Sequence, residues 1–88
     1  FVIMEVVVTK ADYVRDKILA LTFSDGLRAE IDFSPWIEKY PFFEPLKENN
    51  YFRDFSLDGW TVSWPNGADI APETLHQIAT ASGKKVTV

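Results

Sequence analysis

The sequence predicts a small α+β domain: an antiparallel sheet of about five strands, built from an N-terminal strand and two hairpins, with short helical turns in the middle and a C-terminal helix. Three observations carry this reading. Leu27 to Phe33 alternates without a fault, with Leu27, Ala29, Ile31 and Phe33 on one face and Arg28, Glu30 and Asp32 on the other. That is the pattern of a strand with one face buried and one wet. Two Asp-Gly pairs, at 25–26 and 58–59, each stand between apolar-rich runs and mark turns. Finally, Ala71, Leu75, Ile78 and Ala79 fall on one stripe of a helix that Pro72 can open.

The chain has 88 residues, of which 47% are hydrophobic. That suffices for one packed domain over residues 1–88 and argues against global disorder. Cysteine is absent, which excludes a disulfide framework, a thiolate nucleophile and a thiolate metal site, and fits a reducing cytoplasmic compartment. No apolar run approaches the roughly 20 residues that span a bilayer, so no membrane segment is expected. Met4 reads as the native start, residues 1–3 as a remnant ahead of it, and residues 83–88 as a tail. Nine Lys and Arg against thirteen Asp and Glu give a net charge of −4. The cations are scattered, whereas a nucleic-acid surface needs several on one face. No direct nucleic-acid contact is therefore expected, and a protein partner is easier to accommodate.

In chain order, Glu5 to Lys10 is β-branched and reads as the first strand. Lys17 to Phe23 reads as the second and Leu27 to Phe33 as the third. Parity decides the turn between these last two. A two-residue loop would place their apolar rows on opposite faces. A three-residue loop, Ser24-Asp25-Gly26, opposes Phe23 to Leu27, Leu21 to Ala29 and Leu19 to Ile31, with Gly26 left-handed in a bulge. Around Asp58-Gly59 the same argument favours a two-residue loop, with Leu57 opposite Trp60 and Phe55 opposite Val62. Between the hairpins, Ser34 is an expected N-cap and Pro35 a first helical residue. Pro41 ends that helix, Pro45 opens another turn, and Asn49-Asn50 interrupts it. Ten of the thirteen aromatics lie between Phe33 and Trp64. Core filling is the plain account of that density, and an exposed stacking platform or peptide groove is the alternative.

The chemistry-bearing residues gather in "WPNGADIAPETLHQIA", Trp64 to Ala79. Asn66-Gly67 suits a left-handed turn, Asp69 is the nearest group able to serve the free N–H groups of the following helix, and Glu73 adds to the first turn. Gly83 is the expected stop. Glu73 and His76 stand three apart on one helix face, a spacing metal sites use. A carboxylate-bridged centre needs that pair twice, and it occurs once. His76 has no evident nucleophile to activate, and the four glycines are isolated, so no phosphate loop exists. The sequence thus predicts no catalytic residues, no metal and no cofactor. Trp64, Asn66, Asp69, Glu73 and His76 are the candidate binding residues.

The blocks "LTFSDGLRAEIDFSPWI", "FFEPLKENNYFRDF" and "WPNGADIAPETL" resemble, in order, the signature blocks of a family of small bacterial proteins catalogued as domain of unknown function 2442. The resemblance runs from about Met4 to Ala79. It implies an α+β fold with a small antiparallel sheet and a C-terminal helix. Members stand alone or are joined to a helix-turn-helix domain, of which this chain has no counterpart. A molybdopterin-dinucleotide label carried by some relatives does not transfer, because the nucleotide-binding loop is missing.

Two functions follow as expectations. The first is a non-enzymatic protein-interaction or regulatory module, antitoxin-like in partnering a small protein, with its surface around the Trp64–Asp69 turn. The second is a small-ligand-binding or metal-dependent catalytic domain using Asp69, Glu73 and His76. The valine-rich first strand and the tail "KKVTV" are strand-like segments that could pair with a second copy, so a homodimer is also expected.

Overall fold

The computed structural model describes residues 6–82. The expectations for residues 1–3, for Gly83 and for the "KKVTV" tail lie outside them. The element order is β1 (Val8–Arg15), β2 (Ile18–Phe23), β3 (Arg28–Asp32), α1 (Ser34–Lys39), a 3-10 helix (Pro41–Lys47), α2 (Asn49–Phe52), β4 (Ser56–Leu57), β5 (Val62–Ser63) and α3 (Pro72–Ser82). The five strands form two antiparallel sheets, a three-stranded one in the order β1-β2-β3 and the β4-β5 hairpin.

The β2–β3 hairpin has the expected register, with Leu21 opposite Ala29 and Leu19 opposite Ile31. Gly26 is left-handed at φ 92°. The alternating face becomes the core floor, where Leu19, Leu21, Phe23, Ala29, Ile31 and Phe33 are all buried. The first strand differs from the expectation: Glu5 lies outside the described residues, Val6 and Val7 precede the strand, and β1 runs from Val8 through "ADYVR" to a tight turn at Asp16-Lys17, with Arg15 opposite Ile18. Register shifts between Val8 and Lys10 and between Tyr13 and Arg15 break the two-residue rhythm, which hides this strand from pattern reading. Asp16 adopts φ 48°, one of the few non-glycine residues that tolerate the left-handed region.

The second hairpin corrects the expected register. Leu57 pairs with Val62 and Ser56 with Ser63, so the loop spans four residues, Asp58 to Thr61. Two groups account for the slip. The Asp58 carboxylate accepts the N–H groups of both Trp60 and Thr61, each at 2.9 Å. The Trp60 carbonyl accepts the Val8 N–H at 3.0 Å, tying the loop to β1. Thr61 is thereby buried, and its hydroxyl donates to the Ile70 carbonyl at 2.7 Å, which satisfies a group that burial would otherwise penalise.

The middle is indeed a series of short helical turns. Ser34 does not cap α1 with its side chain; its own N–H donates to Asp32 Oδ1 at 2.9 Å. Pro45 lies inside the 3-10 helix, and Asn49-Asn50 begin α2 instead of interrupting a helix. These turns feed an aromatic cluster. Phe33, Phe52 and Trp64 meet with ring centroids 5.5–5.9 Å apart, and Trp64 Nε1 donates to the Phe52 carbonyl at 2.7 Å. Each such ring pair contributes about 0.5–1.5 kcal/mol beyond its buried area. α3 closes the core through Leu75 and Ala79, both fully buried.

Candidate functional site

The Trp64–Asp69 stretch is a turn fastened at both ends. The Gly67 N–H donates to the Trp64 carbonyl at 2.9 Å and the Trp64 N–H to the Ala68 carbonyl at 3.0 Å. Asn66 Oδ1 accepts the Ala68 N–H at 3.0 Å, the local bond that makes Asn a turn residue. Gly67 takes φ 87°, which a side chain would resist. The remaining amide group of Asn66, Nδ2, donates to the Phe42 carbonyl at 3.0 Å. The turn therefore holds the start of the 3-10 helix.

Among the described residues, that helix carries the most exposed large apolar side chain. Phe42 is 58% exposed and Tyr40, just before it, 45%. The ring of Tyr40 lies under the Lys39 ammonium, 5.5 Å from ring centroid to Nζ. Phe43, between them in contact, is buried. Two aromatics in sequence on a short helix cannot both face inward, so the doublet Phe42-Phe43 is the signal that one ring must be left outside. Trp60 and Leu57 are exposed as well, on the second hairpin.

The candidate residues do not converge on one point. Trp64 is buried and supports the turn from beneath. Asp69 is exposed; its backbone bridges Ser63, and among the described residues its carboxylate makes no hydrogen bond to the first turn of α3. The expected capping role is thus not taken up. Asp69 is also not among the residues lining the cleft of about 200 Å³ that Val6, Glu73, His76 and Gln77 share. His76 instead meets Asp25, its Nε2 2.7 Å from Oδ2. Its imidazole is only 13% exposed, against 42% for the Asp25 side chain, and packs edge-on against Phe23 with centroids 5.1 Å apart.

Asp25 was legible only as a turn residue. Its Oδ1 accepts the Leu27 N–H at 3.0 Å. That bond, with the His76 contact as a smaller help, holds its carboxyl below the usual range against the opposing effect of burial. Asp58 is lowered in the same way by the Thr61 and Trp60 N–H groups. Among the described residues, no group of three or more His, Asp or Glu side chains is placed to hold a metal ion, and no helix is long and apolar enough to cross a membrane.

The architecture is that of a small α+β domain with its recognisable blocks at the Asp25-Gly26 and Asn66-Gly67 turns and the helical middle. The family described as Protein of unknown function (DUF2442) matches residues 8–81, and the chain belongs to that family. No curated protein and no solved structure matches it.

Proposed function

We propose that the domain is a non-enzymatic protein-interaction or regulatory module, an antitoxin-like partner of another small protein, whose contact surface is formed by Tyr40, Phe42 and the Trp64–Asp69 turn. The observation that carries this is the exposed pair Tyr40 and Phe42 beside a turn that hydrogen-bonds to their segment. Aromatic side chains are enriched where a partner covers them, and a surface fixed in advance loses little freedom on binding. The acidic balance favours a basic partner, and a chain without cysteine suits the cytoplasm.

A double variant, Tyr40→Ser with Phe42→Ser, tests the reading. Both rings are at the surface, so stability is expected to change by no more than about 0.5 kcal/mol each. Affinity capture from the source cell should recover a discrete protein with the parent chain and lose it with the variant. Equal recovery by both, or no specific protein with the parent, contradicts the proposal. Self-association is a separate part of the proposal. β1 lies at an edge of the three-stranded sheet, the place from which strand addition starts. Light scattering at micromolar concentration should then give a dimer mass, and a monomer mass removes this part.

A further inference from the structure

The Asp25–His76 contact gives the Glu73/His76 spacing something the sequence alone did not supply, an orienting carboxylate. An ionised carboxylate only accepts hydrogen bonds. His76 must therefore donate from Nε2 to Asp25 Oδ2, 2.7 Å away. In the neutral imidazole this fixes the proton on Nε2 and leaves the lone pair on Nδ1. Among the described residues no protein group bonds to Nδ1, and no fully buried side-chain nitrogen or oxygen lacks a partner. Nδ1 is consequently reachable from solvent. The imidazole lines the cleft of about 200 Å³, and Glu73 lines the same cleft from three residues earlier on α3. At that helical spacing two side chains are neighbours on one face.

We propose that Nδ1 of His76 and the carboxylate of Glu73 form an open, two-ligand transition-metal site, with Asp25 as its positioning residue. An imidazole nitrogen with a carboxylate oxygen suits zinc, nickel or copper over magnesium or calcium. A histidine that ligates through one nitrogen and donates from the other to a carboxylate is the usual arrangement at such sites. Gln77 lines the same cleft, and water completes the coordination in the isolated chain. The site is independent of the Tyr40–Phe42 surface, so either can fail alone.

His76 is the sole histidine of the chain, which makes its ring nitrogens unambiguous in a nitrogen NMR spectrum. Zinc ion alone is titrated into the full chain. The expected result is saturable binding of one zinc per chain, with the Nδ1 resonance shifted and the Nε2–H retained. His76→Ala should abolish binding and Glu73→Gln should weaken it. Asp25→Asn keeps an Oδ1 acceptor for the Leu27 N–H, so the turn survives, yet affinity should fall by about 10- to 100-fold through loss of the orienting carboxylate. Zinc that does not saturate at millimolar concentration, a shift at Nε2 instead of Nδ1, or unchanged affinity in Asp25→Asn overturns the proposal. Should a variant fail to fold, the Nδ1 shift in the parent chain decides alone.

Discussion

Two turns of this domain share one backbone solution and differ in the side chains that fasten them to the rest of the chain. In Phe23-Ser24-Asp25-Gly26-Leu27, the Gly26 N–H bonds to the Phe23 carbonyl and the Phe23 N–H to the Leu27 carbonyl. In Trp64-Pro65-Asn66-Gly67-Ala68, Gly67 and Trp64 make the same two bonds to Trp64 and Ala68. In each, the Asx residue accepts the N–H two residues on, and the glycine is left-handed. The remaining side-chain atom of the Asx residue differs. Asp25 has a second acceptor and holds the His76 imidazole on α3. Asn66 has a donor and holds the Phe42 carbonyl. The choice of oxygen or nitrogen at that atom therefore decides which distant element each turn fastens. The residue before the Asx differs too: Ser24 exchanges bonds with Val7, its N–H donating to the Val7 carbonyl and its hydroxyl accepting the Val7 N–H, whereas Pro65 has no N–H to give.

The shared part of the two turns should respond alike. Gly26→Ala and Gly67→Ala place a Cβ in open space, with nothing within 4 Å at either, so the cost is backbone strain alone. Each is expected to lower stability by about 1–2 kcal/mol in urea denaturation, and unequal losses would break the equivalence. The distinct part should respond differently. Asn66→Asp keeps the local acceptor but points an oxygen at the Phe42 carbonyl, and a loss of about 1 kcal/mol is expected at neutral pH. Asp25→Asn removes the acceptor of the His76 N–H, a contact open to solvent on the Asp25 side, and should cost only a few tenths of a kcal/mol. A reversed order contradicts the assignment of the two donors.

Acid should separate the same turns. The Asp25 and Asp58 carboxyls are lowered in the folded chain. Their contribution is complete above the ordinary carboxylate pKa of about 4 and is lost as pH falls through the lowered folded values. The parent chain should lose stability over that window, and Asp58→Asn should flatten the fall. The Asn66 turn has no carboxyl and adds nothing to it. A urea midpoint measured against pH checks the sign.

The legibility of the fold follows from which forces are local. The β2–β3 register could be worked out because both strands present one buried row, so parity forbade the alternative loop. At Asp58 parity does not set the loop, because burial does not decide there. Asp58 binds two N–H groups, and Trp60 is claimed by Val8 on another strand, a contact that no local pattern contains. β1 was displaced for a related reason, since its register shifts erase alternation. At the candidate site, Asn66 and the Glu73–His76 spacing were visible as residue types at a spacing. Asp25 as the partner of His76 was not, because the two stand 51 residues apart. By type alone Phe42 belongs with the core-filling aromatics, and only the 3-10 geometry shows which ring of its doublet stays outside.

The proposed contact surface depends on the one hydrogen bond by which the Asn66 turn holds the aromatic segment. Amide hydrogen exchange across residues 40–48 and across α3, compared between the parent chain and Asn66→Asp, reads it directly. Phe43, whose N–H bonds to the Tyr40 carbonyl, and its helical neighbours should exchange faster in the variant, while α3 keeps its protection. Unchanged exchange at Phe43, or an equal rise throughout the chain, would show that the turn does not hold that surface.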